Sequence, residues 1–211
     1  MKSSKVLEML QQNRIEELKA ELQDEIFTES LKVKPNAKKR YAAMKKYFTL
    51  ADSAREICQK PCAIEFEGEK YNSFTNSYSL ALTKEPCGEI TMFDTSTGNY
   101  PDISRLVDLT GHEDKIDFNK VIAEAKSKGY KLKRVELMSN DYLMRYNGAY
   151  FRIALVDCTY GIIADGEKAT VYHSGDKFGK LTIKNDIGIC VVLPIRMDGK
   201  PAEWVTIIDA N

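Results

Sequence analysis

Residues 32 to 46, "KVKPNAKKRYAAMKK", hold seven lysines and arginines and no acid. Cations at this density can neutralise phosphates without reading bases. If the stretch is helical, at 100° per residue, Tyr41, Met44, Tyr47, Phe48, Ala51 and Ala54 fall on one face, and Lys38, Lys39, Lys45 and Lys46 on the other. A charged helix face is ordinarily just solvated. The complete lack of acids is what points to an anion.

Other chemistry is thinner. Cys58 and Cys62 form C-x3-C, but no second Cys or His pair stands at a zinc-site spacing. The remaining cysteines, Cys87, Cys158 and Cys190, make an odd total of five, which suits reduced, buried thiols. Cys158 or Cys190 with His173 would make a nucleophile pair, but both lie inside apolar runs, where burial opposes activation. "HEDKID" (112–117) gathers a histidine and three acids and reads as a solvated loop rather than a metal site. Neither a P-loop nor a dinucleotide fingerprint occurs. The sequence assigns no catalytic residue, metal or cofactor.

Composition sets the frame for these residues. A chain of 211 residues with 43% apolar and 29% charged content can pack a core. Net charge is zero, so any affinity for nucleic acid must come from local clusters. The N-terminus, "MKSSKVLEML", has no signal-peptide pattern, and no apolar run reaches the roughly 18 residues of a membrane span. The expectation is a cytoplasmic protein without membrane contact.

Positioning elements follow from periodicity. Residues 3 to 26 predict a helix capped by Ser3 or Ser4, with an apolar stripe of Val6, Leu10, Ile15, Leu18, Leu22 and Ile26. A second helix is expected over 37–58 with Asn36 as its cap, and a third over 117–128, stopped by Gly129. Lys126, Lys128, Lys131, Lys133 and Arg134 cluster around the end of the third. "AIEFEGEKYNSFTNSYSLALTK" alternates and turns, which predicts antiparallel strands. "STGNYPDISRLV" (96–107) reads as a linker and "VELMSNDYLMRYNGAYF" as a hairpin. "RIALVDCTYGIIAD" reads as a short helix with a strand still open, and three strands follow.

The two parts of the chain echo one another. Gly68-Glu69-Lys70-Tyr71 matches Gly175-Asp176-Lys177-Phe178, and Asn76 matches Asn185. Helix plus three strands therefore occurs twice, at a repeat of about 107 residues.

That arrangement, with three strings, resembles the DNA sliding clamps, in particular the bacterial DNA polymerase III beta subunits. "GNYPDISRLV" is similar to their Tyr/Phe-Pro-Asp segment. "GKLTIKNDIGICVVLPIRM" resembles the strand with which they end, and "YNGAYFRIALVDCTYGII" the strand leading into their last helix. The likeness covers roughly residues 31 to 197. It departs from the family in having room for one domain rather than three, in the leading helix, and in "DGKPAEWVTIIDAN" after the closing strand. A compact clamp-like protein of the kind phages and prophages carry would fit.

The expected fold is α+β: one clamp-like domain (31–197) of two helix-plus-three-strand halves, 31–108 and 140–197. A helical connector (109–139) joins the halves, an N-terminal helical segment (1–30) precedes them, and an extension (198–211) follows. The resemblance implies a non-enzymatic processivity factor or replication adaptor that binds double-stranded DNA independently of sequence and assembles as a homo-oligomer. It also implies a pocket for replication-protein peptides at Leu193, Pro194, Ile195, Arg196 and Met197. Their own spacing fits a strand end: Leu193 and Ile195 would share one face and Pro194 and Arg196 the other, with proline at an edge. The extension could cover that pocket. The rival expectation is a clamp-fold regulatory protein that does not encircle DNA and uses its N-terminal helix to bind a partner.

Overall fold

The computed structural model describes residues 3–50, 58–103, 105–133, 137–197 and 199–210. Its largest element is a seven-stranded antiparallel sheet in the order β1-β2-β3-β9-β8-β7-β4. One meander supplies β1 (Cys62–Phe66), β2 (Glu69–Thr75) and β3 (Ser79–Thr83). A second supplies β7 (Ala169–His173), β8 (Leu181–Lys184) and β9 (Gly188–Val192). They meet edge to edge through β3 and β9, where Ser79 lies opposite Val192, Ala81 opposite Cys190 and Thr83 opposite Gly188. Gly188 is required there: a Cβ would stand 1.9 Å from the Leu82 carbonyl oxygen.

Each meander turns on an asparagine. The Asn76 Oδ1 accepts from the backbone N–H groups of Tyr78 (3.0 Å) and Ser79 (2.8 Å). The Asn185 Oδ1 accepts in the same way from Ile187 (3.0 Å) and Gly188 (3.1 Å). A helix precedes each meander: α3 (Ala37–Leu50) the first and α5 (Ile153–Tyr160) the second. The choice left open for residues 152–165 is settled as helix over Ile153–Tyr160, with Arg152 ending β6 (Ala149–Arg152). Seven of the eight α5 residues are buried, because this helix lies between the sheet and its neighbours.

Alternation sorts the sheet into two faces. Phe74, Ala81, Cys190, Val192 and Ile183 join Met44 and Tyr47 of α3, and most of α5, in the main core. Leu80, Leu82, Ile189 and Val191 face the other way, under Ile103, Tyr100 and Val107. The linker therefore covers the back of the sheet, and the Tyr100 hydroxyl donates to the Ser73 carbonyl at 3.2 Å.

Four expectations from sequence need correction. The predicted helix over 3–26 is two helices, α1 (Ser3–Gln11) and α2 (Ile15–Val33), separated where Asn13 takes a left-handed φ of 55°. "HEDKID" is not a loop: β4 (His112–Ile116) pairs with β7 at the sheet edge, leading into α4 (Phe118–Ser127). Its residues read as loop because only Ile116 of the strand is buried. Asn36 also sits in the left-handed region, at φ 58°, and its side chain donates to the Asp165 carbonyl at 2.8 Å. Residues 206–209 form β10 (Thr206–Asp209), which runs parallel to β5 (Tyr142–Tyr146) in a second sheet, β10-β5-β6, closed by β6 (Ala149–Arg152). A bidentate Arg145–Asp209 pair (2.6 and 2.8 Å) crosses that parallel ladder. The part of the expected second helix over 51–57, including Ala51 and Ala54, lies outside the described residues, as does Arg134.

Candidate functional site

Two places gather the residues singled out from sequence. The first is the outer face of α3. Met44, Tyr47 and Leu50 pack inward, and Lys38, Lys39, Lys45 and Lys46 are all exposed. Arg40, from the same basic run, turns the other way. It is 2% exposed, and its guanidinium donates to the Pro35 and Ala164 carbonyls and to the Glu85 carboxylate, each at 3.0 Å. A charge so enclosed needs these partners, which its two terminal nitrogens find while its buried Nε finds none among the described residues, so Arg40 holds structure and is unavailable to a ligand.

The exposed lysines differ in how they are compensated. Lys45 lies 3.6 Å from Glu89 and 4.6 Å above the Tyr41 ring. Among the described residues, no carboxylate comes within ion-pair distance of Lys38, Lys39 or Lys46. The field of Lys46 reaches Asp157 on α5, which also has Lys126 of α4 at 3.7 Å. Burial nevertheless raises the Asp157 carboxyl above its ordinary value, with the two lysines opposing that shift. The helix layer α3–α5–α4 thus carries lysines on both flanks of one recessed acid.

The second place is where the chain leaves β9. Leu193 still donates to the Tyr78 carbonyl (3.0 Å), but Ile195 donates to the Tyr150 carbonyl on β6 (2.8 Å). The segment therefore passes from the large sheet to the small one. Alternation stops with the strand: Leu193 and Pro194 both line a cleft of ≈ 280 Å³, and Ile195 is buried. Arg196 is exposed and Met197 half-buried, and neither lines the cleft. The structure thus brings two of the five expected pocket residues to one concavity. Residues 199–210 contribute nothing to its lining.

Its other wall is the loop between β7 and β8, where sequence had marked only a repeat. Phe178 is 43% exposed under Lys177, whose ammonium lies 4.8 Å from the ring centroid. Beneath it, His173 is 1% exposed; its Nδ1 accepts from the Gly175 N–H (3.0 Å), and its Nε2 faces the Gly179 carbonyl at 3.2 Å. Those partners fix a neutral ring with the proton on Nε2, and burial lowers its pKa. The signal for this wall was the Gly-acid-Lys-aromatic string, which marks a turn and not a cleft.

All five cysteines are free and buried. Burial pushes Cys158 up to about 12 and Cys190 well above its ordinary value, which disfavours a thiolate, and His173 is committed to its own loop. Among the described residues, no cluster of three metal-ligating side chains occurs. Among them, also, no helix is long and apolar enough to cross a membrane.

No protein-family model matches the chain, and no curated protein matches it. Among solved structures it is similar to DNA polymerase III subunit beta from Borrelia burgdorferi, determined in complex with a natural product. Identity is 10% and the TM-score 0.47, over 76% of this chain and 62% of that one. The chain therefore spans less than two thirds of that protein's length.

Proposed function

We propose that this chain is a clamp-like, non-enzymatic protein of DNA replication, acting in the cytoplasm as a processivity factor or adaptor. In this reading residues 31–197 form one domain of two halves. The equivalent Asn76 and Asn185 turns and the symmetric β3–β9 register support it, together with the three clamp-like strings. The observation that carries the DNA contact is the α3 face: Lys38, Lys39, Lys45 and Lys46 share one exposed side, and among the described residues only Lys45 has a near acid. Phosphates would meet that face without base readout.

The cleft takes the role of a peptide seat, with Leu193, Pro194 and Phe178 as its apolar contacts among the polar Asp108, Thr110, Ser174 and Lys180. The test is duplex binding across a salt series. Removing one lysine that neutralises a phosphate should reduce the log–log slope by about 0.9. A flat slope for the native chain on linear and circular duplex would end this reading. The rival, a clamp-fold regulator that does not encircle DNA, is favoured by the helical hairpin before the domain, whose exposed apolar residues suit a protein contact.

A further inference from the structure

The α1–α2 hairpin leans on the domain through Phe27, which meets Tyr41 edge-on at 4.8 Å and presses on Gly88, where a Cβ would stand 2.4 Å from the ring. Lys5 and Glu21 tie α1 to α2 at 2.5 Å. This leaves one face of α2 open along its whole length. Ile15 is 44% exposed, Leu22 39%, Ile26 69% and Val33 79%. With Lys19 and Glu29, both exposed, they form a stripe at alternating spacings of four and three residues. On a helix that stripe stays within an arc of about 80°, the geometry of a two-helix seam.

The order of residues along the stripe is its own complement when reversed. Ile15 and Val33 are equally far from position 24, as are Lys19 and Glu29, and Leu22 and Ile26. An antiparallel copy of α2 therefore sets Ile15 against Val33, Lys19 against Glu29 and Leu22 against Ile26, twice over. A parallel copy would set Lys19 against Lys19 and Glu29 against Glu29, which repel. The intrachain partners of these two charges, Glu16 and Lys32, are exposed surface pairs and offer little resistance to the exchange.

We infer that α2 docks antiparallel on α2 of a second copy of this chain, forming a two-fold symmetric dimer with reciprocal Lys19–Glu29 pairs. The 19-residue helix gives a seam roughly 28 Å long. Such a contact is isologous and closes on itself, so it yields pairs and cannot by itself propagate a ring. It goes beyond the function proposed above and does not depend on DNA binding.

The experiment is light scattering on the full chain over a concentration series, with matched variants. The native chain should approach twice 23.9 kDa at tens of micromolar and fall to a single-chain mass on dilution. Ile26→Asp should remain a single chain at the same concentrations with an unchanged far-ultraviolet spectrum. Lys19→Glu and Glu29→Lys should each weaken pairing at least tenfold, and the double variant should restore it. Oxidising an equal mixture of Leu22→Cys and Ile26→Cys chains should give the mixed crosslink in several-fold excess over either self-crosslink. A native chain that stays single at hundreds of micromolar overturns the proposal. So does an oligomer that survives Ile26→Asp, or a self-crosslink of Leu22→Cys that exceeds the mixed one. Duplex binding measured alongside keeps the two readings apart: a dimer that ignores DNA supports this inference and counts against the other.

Discussion

Ala81 lies opposite Cys190 at the midpoint of the β3–β9 ladder, and every other pair in that ladder is placed symmetrically about it. Both side chains point to the helix side, into the main core. The two meanders are thereby fused into one sheet by five residue pairs.

That junction should be intolerant of a single methyl group. Gly188→Ala sets a Cβ against the Leu82 carbonyl and within 2.9 Å of the Ile163 side chain, two rigid neighbours. The strands must separate or the main chain must shift, at a cost of about 3 kcal/mol. Thermal unfolding should show a large drop in Tm. A drop within the error of the native value would mean that the ladder yields more easily than its register implies.

Asn76→Ala and Asn185→Ala should cost similar amounts, about 1–2 kcal/mol each, because each removes the acceptor for two backbone donors at a tight turn. Each has a third bond, Asn185 donating to the Ile163 carbonyl at 2.8 Å and Asn76 Oδ1 accepting from the Ser79 hydroxyl at 3.1 Å, so the two losses should be comparable. Urea denaturation of the two variants measures the difference.

The basic face predicts a charge-dependent effect on binding and not on folding. Lys38→Glu with Lys39→Glu and Lys46→Glu should abolish duplex affinity and flatten the salt slope, with little change in Tm, because all three side chains are exposed. Arg40→Ala is the contrasting control. It strips Glu85 of a buried partner and should destabilise by about 3 kcal/mol.

His173 gives a pH dependence with a defined sign. Burial lowers its folded pKa below the ordinary 6.5, so its contribution is present in full above that value. The contribution is lost as pH falls below 6.5 and the ring takes a second proton, which turns Nδ1 from acceptor to donor facing the Gly175 N–H. Around the ring, Asp176 favours the proton, and His112 on β4 opposes it. Tyr146 and Phe151 face it edge-on. Between pH 7.5 and 5 the native chain should lose more denaturant resistance than His173→Gln. Parallel losses in the two proteins would remove His173 from the account.

The cleft predicts that Phe178→Ala weakens a polymerase-type clamp-binding peptide roughly tenfold, near 1.4 kcal/mol, at unchanged stability. Arg196→Ala should have little effect, because Arg196 does not line the cleft. Calorimetric titration decides between them.

Sequence carried the strands and helices with strong periodicity. β1 to β3, β7 to β9 and α4 lie where alternation and the 3.6-residue stripe placed them, and Asp117 caps α4 by accepting from Lys120 N–H at 3.0 Å. It failed where local pattern and tertiary role diverge. β4 is an edge strand of charged residues, so it lacks the apolar alternation that marks a strand. The break at Asn13 was hidden because Val6 and Leu10 before it and Leu18 after it mimic one stripe, although of these three only Leu18 is buried. The inward turn of Arg40 is invisible among lysines, since two of its three partners, Glu85 and Ala164, are distant along the chain. The crossing of residues 193–195 from sheet to sheet depends on Tyr78 and Tyr150, far away along the chain.

The β3–β9 junction also sets a clock. Residues 79–83 find their partners only at 188–192, roughly a hundred residues later in synthesis. At about 5–20 residues per second, a ribosome needs on the order of 5–20 s to supply them. Throughout that interval β3 presents a bare edge bearing Leu80 and Leu82, beside a meander already able to form. The nascent chain is then a substrate for chaperones or for another copy's β9, and slower translation through residues 84–187 should raise the yield of strand-swapped or aggregated product.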